Sequence, residues 1–232
     1  MGASSPRLLL IETSGYTMAV GIADVHEGKI IAQHLGGPVA DHSRELPAAV
    51  HELLVSTGTS PEDIRYVAVT VGPGSFTGLR LGLSFARGFI FGREDTTHLV
   101  GVYTCEVVYW MAVRKKGIDH VKGVRSFCVI QAHRRGAYVK ALSECASPEG
   151  FEILSWDEIR DRIVAGGGVC FVPEPLPDPL RSTPQVYSSP LMAEDMLKPA
   201  LSRIERKEFF DRKFAGPVYI FPYKPHKPSQ KS

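Results

Sequence analysis

An α/β fold built around a mixed sheet is predicted by three observations. Three strand-like runs precede any helix, and strand and helix patterns alternate after them. At the centre, residues 67–92 read VAVTVGPGSFTGLRLGLSFARGFIFG, in which a β-branched apolar run, a glycine turn and a helical run follow one another without a gap. The resulting order, β-β-β-α-β-α-β-α, is that of a ribonuclease H-like or actin-like half.

Taken in order, residues 7–11 form a first strand that ends in the polar turn Glu12-Thr13-Ser14-Gly15. Residues 18–24 and 29–33 are two further strands, joined through His26-Glu27-Gly28 into a meander. Ser43 caps, or nearly caps, an amphipathic helix with Glu45 in its first turns and Leu46, Val50, Leu53 and Leu54 on one stripe. Pro47 is tolerated there because it comes early. Gly58 stops the helix, and Ser60-Pro61-Glu62-Asp63 is a short capped turn into the central strand.

That strand is broken by Gly72, Pro73 and Gly74; Ser75 or Thr77 supplies a capping hydroxyl, and the next helix starts between Ser75 and Gly78, across Phe76. Gly78, Gly82 and Ala86 share a broad face with Ser84, Gly88 and Gly92, with Leu81, Phe85 and Phe89 between them. Four glycines weaken a helix by roughly 1 kcal/mol each relative to alanine, so close approach of another backbone is expected to repay them. Arg80 and Arg87 are the only charges, and the helix is expected to be buried against the sheet and against a partner chain. The loop has no Gly-Lys-Ser/Thr, and its spacing misses the dinucleotide fingerprint by one residue. Tight strand-to-helix packing is therefore preferred to phosphate binding.

Residues 98–103 are a further strand and 104–116 a helix, closing a first lobe (1–117). In a second, smaller lobe (118–222), residues 127–131, 137–142 and 169–172 read as strands, 156–164 as a short helix and 191–207 as a last amphipathic helix. Prolines at every second position over 173–179 mark an irregular surface loop. The end, 223–232, is a basic tail expected to be disordered.

A chain of 232 residues, 44% hydrophobic and 22% charged, is ordinary for a globular protein. Its net charge of +2 favours no partner class, although residues 203–232 hold eight Lys/Arg against three Asp/Glu. Cys105, Cys128, Cys145 and Cys170 form no C-x-x-C pair and read as reduced core thiols of a cytoplasmic protein. No run suggests a signal peptide or a membrane span.

Glu12-Thr13-Ser14 after the first strand, His42-Ser43-Arg44-Glu45-Leu46-Pro47 opening the first helix, and Gly72 to Gly78 followed by Leu79-Arg80-Leu81-Gly82-Leu83 together resemble the TsaB (YeaZ) family. A fainter echo continues through Ile130 to Tyr138. The resemblance implies a two-lobed actin/Hsp70/sugar-kinase type fold with a reduced second lobe, and a part in making threonylcarbamoyladenosine on tRNA. It implies pairing with TsaD, the catalytic paralogue, an ATPase, TsaE, that joins them, homodimers when alone, and contact with tRNA only indirectly. It places the partner face on the two helices, at His42, Glu45, Leu46, Leu53, Arg80, Leu81, Gly82, Phe85, Arg87, Gly88 and Phe89. Glu12 and Thr13 would be a vestigial nucleotide site. Two departures stand against an intact one: Glu12 replaces the family's usual Asp, and Gln131 stands where the second lobe's Asp is expected. ATP or ADP is thus expected at most at the interface with the partner.

No two of the eight histidines lie three to five residues apart, so no metal pair is expected on a helix turn. His42 reads as a helix-entry residue whose ring meets a partner or caps the turn. Ser75 and Thr77 have no His-Asp pair or nucleophile elbow beside them and read as caps, not as catalytic residues. Arg80 and Arg87 either anchor an interface or are solvated, and Gly166-Gly167-Gly168 is either a base-and-ribose seat or a plain turn. The leading expectation is a non-catalytic scaffold that activates a TsaD-type transferase. The alternative is a stand-alone ATP-dependent transferase or M22-like peptidase.

Overall fold

Period-two alternation along the first strand decides how the layers stack. In the computed structural model, which describes residues 5–38, 41–133, 136–147, 149–161, 165–210 and 216, β1 (Arg7–Glu12) turns Leu8 and Leu10 to one face and Leu9 and Ile11 to the other, all of them buried. β1 pairs antiparallel with β2 (Thr17–Asp24), which pairs antiparallel with β3 (Lys29–Pro38). On its other side β1 pairs parallel with β4 (Ile64–Gly72), and β4 pairs parallel with β5 (His98–Tyr103). The order is β3-β2-β1-β4-β5. Helices α1 (His42–Thr57) and α2 (Phe76–Ile90) cover one face, with Leu46, Val50, Leu53, Leu83 and Ala86 packed on Leu9, Ile11, Val67 and Val69.

The second sheet repeats the plan. β6 (Ser126–His133), β7 (Gly136–Ala141) and β8 (Glu152–Ser155) form an antiparallel meander, and β9 (Val169–Pro173) and β10 (Val186–Ser189) add parallel to β6. Read from β8, its order matches that of the first sheet read from β3. Helices α3 (Thr104–Lys116) and α6 (Ala193–Glu205) join the two lobes: Cys105, Val108, Met111, Met196 and Ala200 share one buried cluster with Leu8 and Leu10 of the first sheet and Cys128, Ile130 and Phe171 of the second. A short α4 (Ile118–Gly123) leads into β6, and α5 (Trp156–Ile159) packs Trp156 and Ile159 on Val129, Val139 and Leu154. The two-lobed α/β class expected from the sequence is the observed one.

Several details differ from expectation. Asp41 occupies the cap position of α1 without a side-chain cap bond, so Ser43 is an exposed residue of the first turn and not the cap. α2 ends at Ile90, and Gly92, at φ +76°, lies beyond it. The helix therefore carries three glycines, not four. The helix expected over 156–164 is a single turn, with 162–164 outside the described residues. α4, β8 and β10 were not legible: each is four to six residues long, with half or fewer of its side chains buried. The tail expected from 223 onward lies outside the described residues. All four cysteines are free and buried, and no described helix is long and apolar enough to cross a membrane.

Candidate functional site

Among the described residues the carboxyl group at the end of β1 has no cation to pair with. Glu12 is fully buried; its Oε1 accepts hydrogen bonds from the Ser14 N–H at 2.8 Å and from the Ser14 hydroxyl, while Oε2 has no hydrogen-bond partner. Burial pushes its pKa up to about 7, against the opposing pull of the Ser14 bonds. Thr13 next to it donates its N–H to the Thr70 hydroxyl at 3.2 Å.

The glycine loop and α2 close over this turn. The Ser75 N–H donates to the Ser14 carbonyl at 2.8 Å, and the Ser75 hydroxyl accepts from the Gly78 N–H at 3.1 Å as the cap of α2. A Cβ on Gly74 would stand 2.5 Å from the Ser14 oxygen, one on Gly78 2.0 Å from the Thr13 carbonyl oxygen, and one on Gly82 2.2 Å from Thr13 Oγ1. Gly72, Pro73, Gly74, Ser75, Phe76, Thr77 and Gly78 are thus a packing loop. The close backbone approach expected of the glycines is met inside the chain, by Thr13 and Ser14.

Between the lobes this turn opens on a cleft of about 340 Å³, lined among others by Ser14, Tyr16, Ser75, Thr104, Gln131 and Glu174. The residues present do not fit a nucleotide's phosphates. Among the described residues no Lys or Arg lines the cleft, Glu174 adds a carboxylate, and the Ser75 N–H is already engaged. Gln131 lies in the cleft but is neutral. Gly166, Gly167 and Gly168 precede the far end of β9, whose Pro173 end reaches the cleft, so they do not seat a ligand there. Among the described residues no group of three or more His, Cys, Asp or Glu could hold a metal ion. Thr104, buried with an unpartnered hydroxyl, and Glu174 were missed by sequence reasoning. Only their place at strand ends could have flagged them.

The second candidate surface lies on α1 and α2. His42 is fully buried, its Nε2 3.1 Å from the Gly37 carbonyl oxygen, and Glu45 accepts from the Gly37 N–H at 3.0 and 3.1 Å. Burial holds the His42 pKa below the ordinary imidazole range. These residues fix the entry of α1 to the end of β3. Leu46, Leu53 and Gly82 are also buried within the chain, so with His42 they stand behind the surface. Of the residues expected on a partner face, these four pack inside the chain. Leu81, Phe85 and Phe89 are half-buried at i, i+4 and i+8 of α2, with the two phenylalanine rings 6.2 Å apart. Around them Arg80, Arg87 and Gly88 are exposed, and nothing lies within 4 Å of a Cβ placed on Gly88. The Arg80 guanidinium stacks 4.1 Å above the Phe76 ring. Phe76 (44% exposed), Val55 on α1 (67%) and Phe91 (82%) add apolar area that sequence reasoning did not single out.

A family model for TsaD, the tRNA N6-adenosine threonylcarbamoyltransferase, matches residues 27–121. The chain is 39% identical over 80 residues to the tRNA threonylcarbamoyladenosine biosynthesis protein TsaB of Bacillus subtilis, covering 34% of each chain. It is 35% identical over 115 residues to TsaB of Escherichia coli, covering 50% of this chain and 48% of that one. Over these segments the chain is similar to the TsaB (YeaZ) family. Its matches span between a third and a half of the length of these TsaB relatives. Over nearly the whole chain the fold is that of YeaZ from Pseudomonas aeruginosa, with a TM-score of 0.66, 22% identity and coverage of 92% of this chain and 99% of that one. A Pseudomonas aeruginosa protein with similarity to peptidase YEAZ superposes at a TM-score of 0.69 and 22% identity, covering 93% and 100%. The segment matched by the TsaD model includes α1 and α2.

Proposed function

We propose that this chain is a non-catalytic subunit of tRNA threonylcarbamoyladenosine synthesis that pairs with a TsaD-type transferase through the outer face of α1 and α2. The observation that carries the reading is the Leu81, Phe85 and Phe89 stripe, left half-exposed beside the open notch at Gly88 and flanked by exposed arginines. Aromatic and arginine side chains around an apolar centre are the composition of an interface core. The same face serves a second copy of the chain when no transferase is present. A TsaE-type ATPase joins the pair, and the assembly works in the cytoplasm.

The chemistry of the cleft supports an accessory role. Ser75 is engaged as a cap, and among the described residues lining the cleft there is no imidazole beside it and no cation to hold a phosphate next to Glu174. The free Oε2 of Glu12 favours a second reading, an ATP-dependent enzyme whose divalent cation sits on that oxygen. Reconstitution decides between them. Purified TsaD-type and TsaE-type proteins, tRNA and an activated threonyl donor are assayed with and without this chain. Transfer that requires the chain, with no ATP turnover by the chain alone, is the expected result; transfer indifferent to it would overturn the proposal.

A further inference from the structure

A groove of about 790 Å³ between α3, α4 and α6 is larger than the cleft at Ser14, and its chemistry is different. Its walls carry Lys122, Arg125, Lys198 and Arg206, all exposed, and the half-buried rings of Tyr109 and Trp110. One acidic residue lines it, Glu106, and both its oxygens are taken by Arg203, at 2.9 and 2.7 Å. Lys122 and Lys198 make no ion pair with any described residue. Arg206 meets only the exposed Glu208, at 3.3 Å, a contact that water and salt weaken.

We propose that this groove binds a single-stranded segment of RNA, its phosphates on Lys122, Arg125, Lys198 and Arg206 and one base stacked on Trp110. Four cations around a concavity whose one carboxylate is already neutralised attract a polyanion, and phosphate contacts of this kind need no sequence. The chain's own residues 211–232 are excluded by charge, since they hold five Lys/Arg against one Asp. The indole of Trp110, which the Tyr109 ring meets edge-on at 84°, separates RNA from an acidic peptide: an unpaired base has a face to lay on an indole, and such stacking platforms beside cationic tracks are how single strands are held. None of this was legible in the sequence, because the four cations come from segments up to 84 residues apart. Taking tRNA as the natural ligand rests on the proposed function; the groove's affinity for RNA does not.

The test compares full-length chains, so that the basic residues after 210 are common to all. Binding of an unmodified tRNA transcript is followed by fluorescence anisotropy between 50 and 200 mM salt. Lys122→Glu/Lys198→Glu, both at exposed positions, should melt as the parent does yet bind about tenfold or more weakly, with the salt slope reduced by about 1.4 for two lost single-strand contacts. Trp110→Leu should weaken binding about tenfold without changing the slope, since stacking releases no counterions, and Trp110→Phe should restore most of it. Charge variants that bind the transcript as tightly as the parent would overturn the assignment. So would poly-L-glutamate competing as well as oligouridylate of equal charge, which would make the groove an acidic-protein site. The charge variant should still pair with the transferase. Loss of RNA binding with pairing intact separates this inference from the proposed function, and absence of pairing in the parent would count against that function alone.

Discussion

Gly82 of α2 lies so close to Thr13 that a methyl group on it would come within 2.2 Å of the threonine hydroxyl oxygen. The helix is thereby held against the end of β1 at one residue's distance.

Replacing that glycine should therefore damage the fold itself. Gly82→Ala is expected to destabilise by about 1–3 kcal/mol through overpacking, after the roughly 1 kcal/mol that alanine's helix propensity returns. Gly82→Arg should not fold. Gly88→Ala, with open space around it, should be neutral or stabilising by up to about 1 kcal/mol. Denaturant melts of the three variants check the contrast, and equal losses at Gly82 and Gly88 would refute it.

Glu12 gives stability a definite pH dependence. Its pKa is raised from 4.5 to about 7 in the fold, so the folded state holds the proton more tightly than the unfolded one. The stabilisation is fully present below about pH 4.5 and is lost as pH rises through 7, amounting to about 3 kcal/mol across that window. Glu12→Gln, which mimics the protonated side chain, should remove this part of the slope. Thermal melts at pH 5 and pH 8 should converge for the variant and stay apart for the parent; parallel behaviour of the two would place the titration elsewhere.

Arg114 of α3 clasps Asp195 of α6 through Nε at 2.8 Å and Nη2 at 2.9 Å, and Nη2 also donates to the Pro190 carbonyl at 3.0 Å. Asp195 is nearly fully buried and accepts from the Met192 N–H at 2.8 Å. Arg114→Met leaves that carboxylate without its cation and should lower stability by about 3 kcal/mol, with Arg114→Met/Asp195→Asn recovering part of it. A double-mutant cycle with no coupling between the two would refute the clasp.

At the proposed partner face, Gly88→Glu puts a charge into the notch beside Phe85 and Phe89, where a Cβ meets no described atom within 4 Å. It should reduce affinity for the TsaD-type partner about tenfold or more and leave the melting temperature near the parent's. Analytical ultracentrifugation of the mixture reads this directly, and an unchanged complex would move the interface off α2.

The first lobe was legible because its signals are local. The apolar run before GPGSFTG, the alternation in residues 7–11 and the stripe of Leu46, Val50, Leu53 and Leu54 each fix one element from neighbouring residues. What a sequence cannot say is which neighbour a close approach serves. Gly78 and Gly82 read as permitting a close approach, and within the chain Thr13, some 65 residues upstream, makes one. The same holds for His42, whose bond to Gly37 depends on where β3 ends. In the second lobe the elements are too short for any period to register, and the cleft at Gln131 and Glu174 exists only once two lobes meet.

The return of α6 onto the first sheet also sets an order of events at synthesis. Leu8, Leu10, Ala19 and Ala23 emerge well before Met196, Leu197 and Ala200, which share their buried cluster. Until then one side of the nascent sheet lacks part of its cover, and a chain halted before residue 193 would present that oily surface to chaperones and proteases. Quality control of this protein would in effect be a check on the docking of α6.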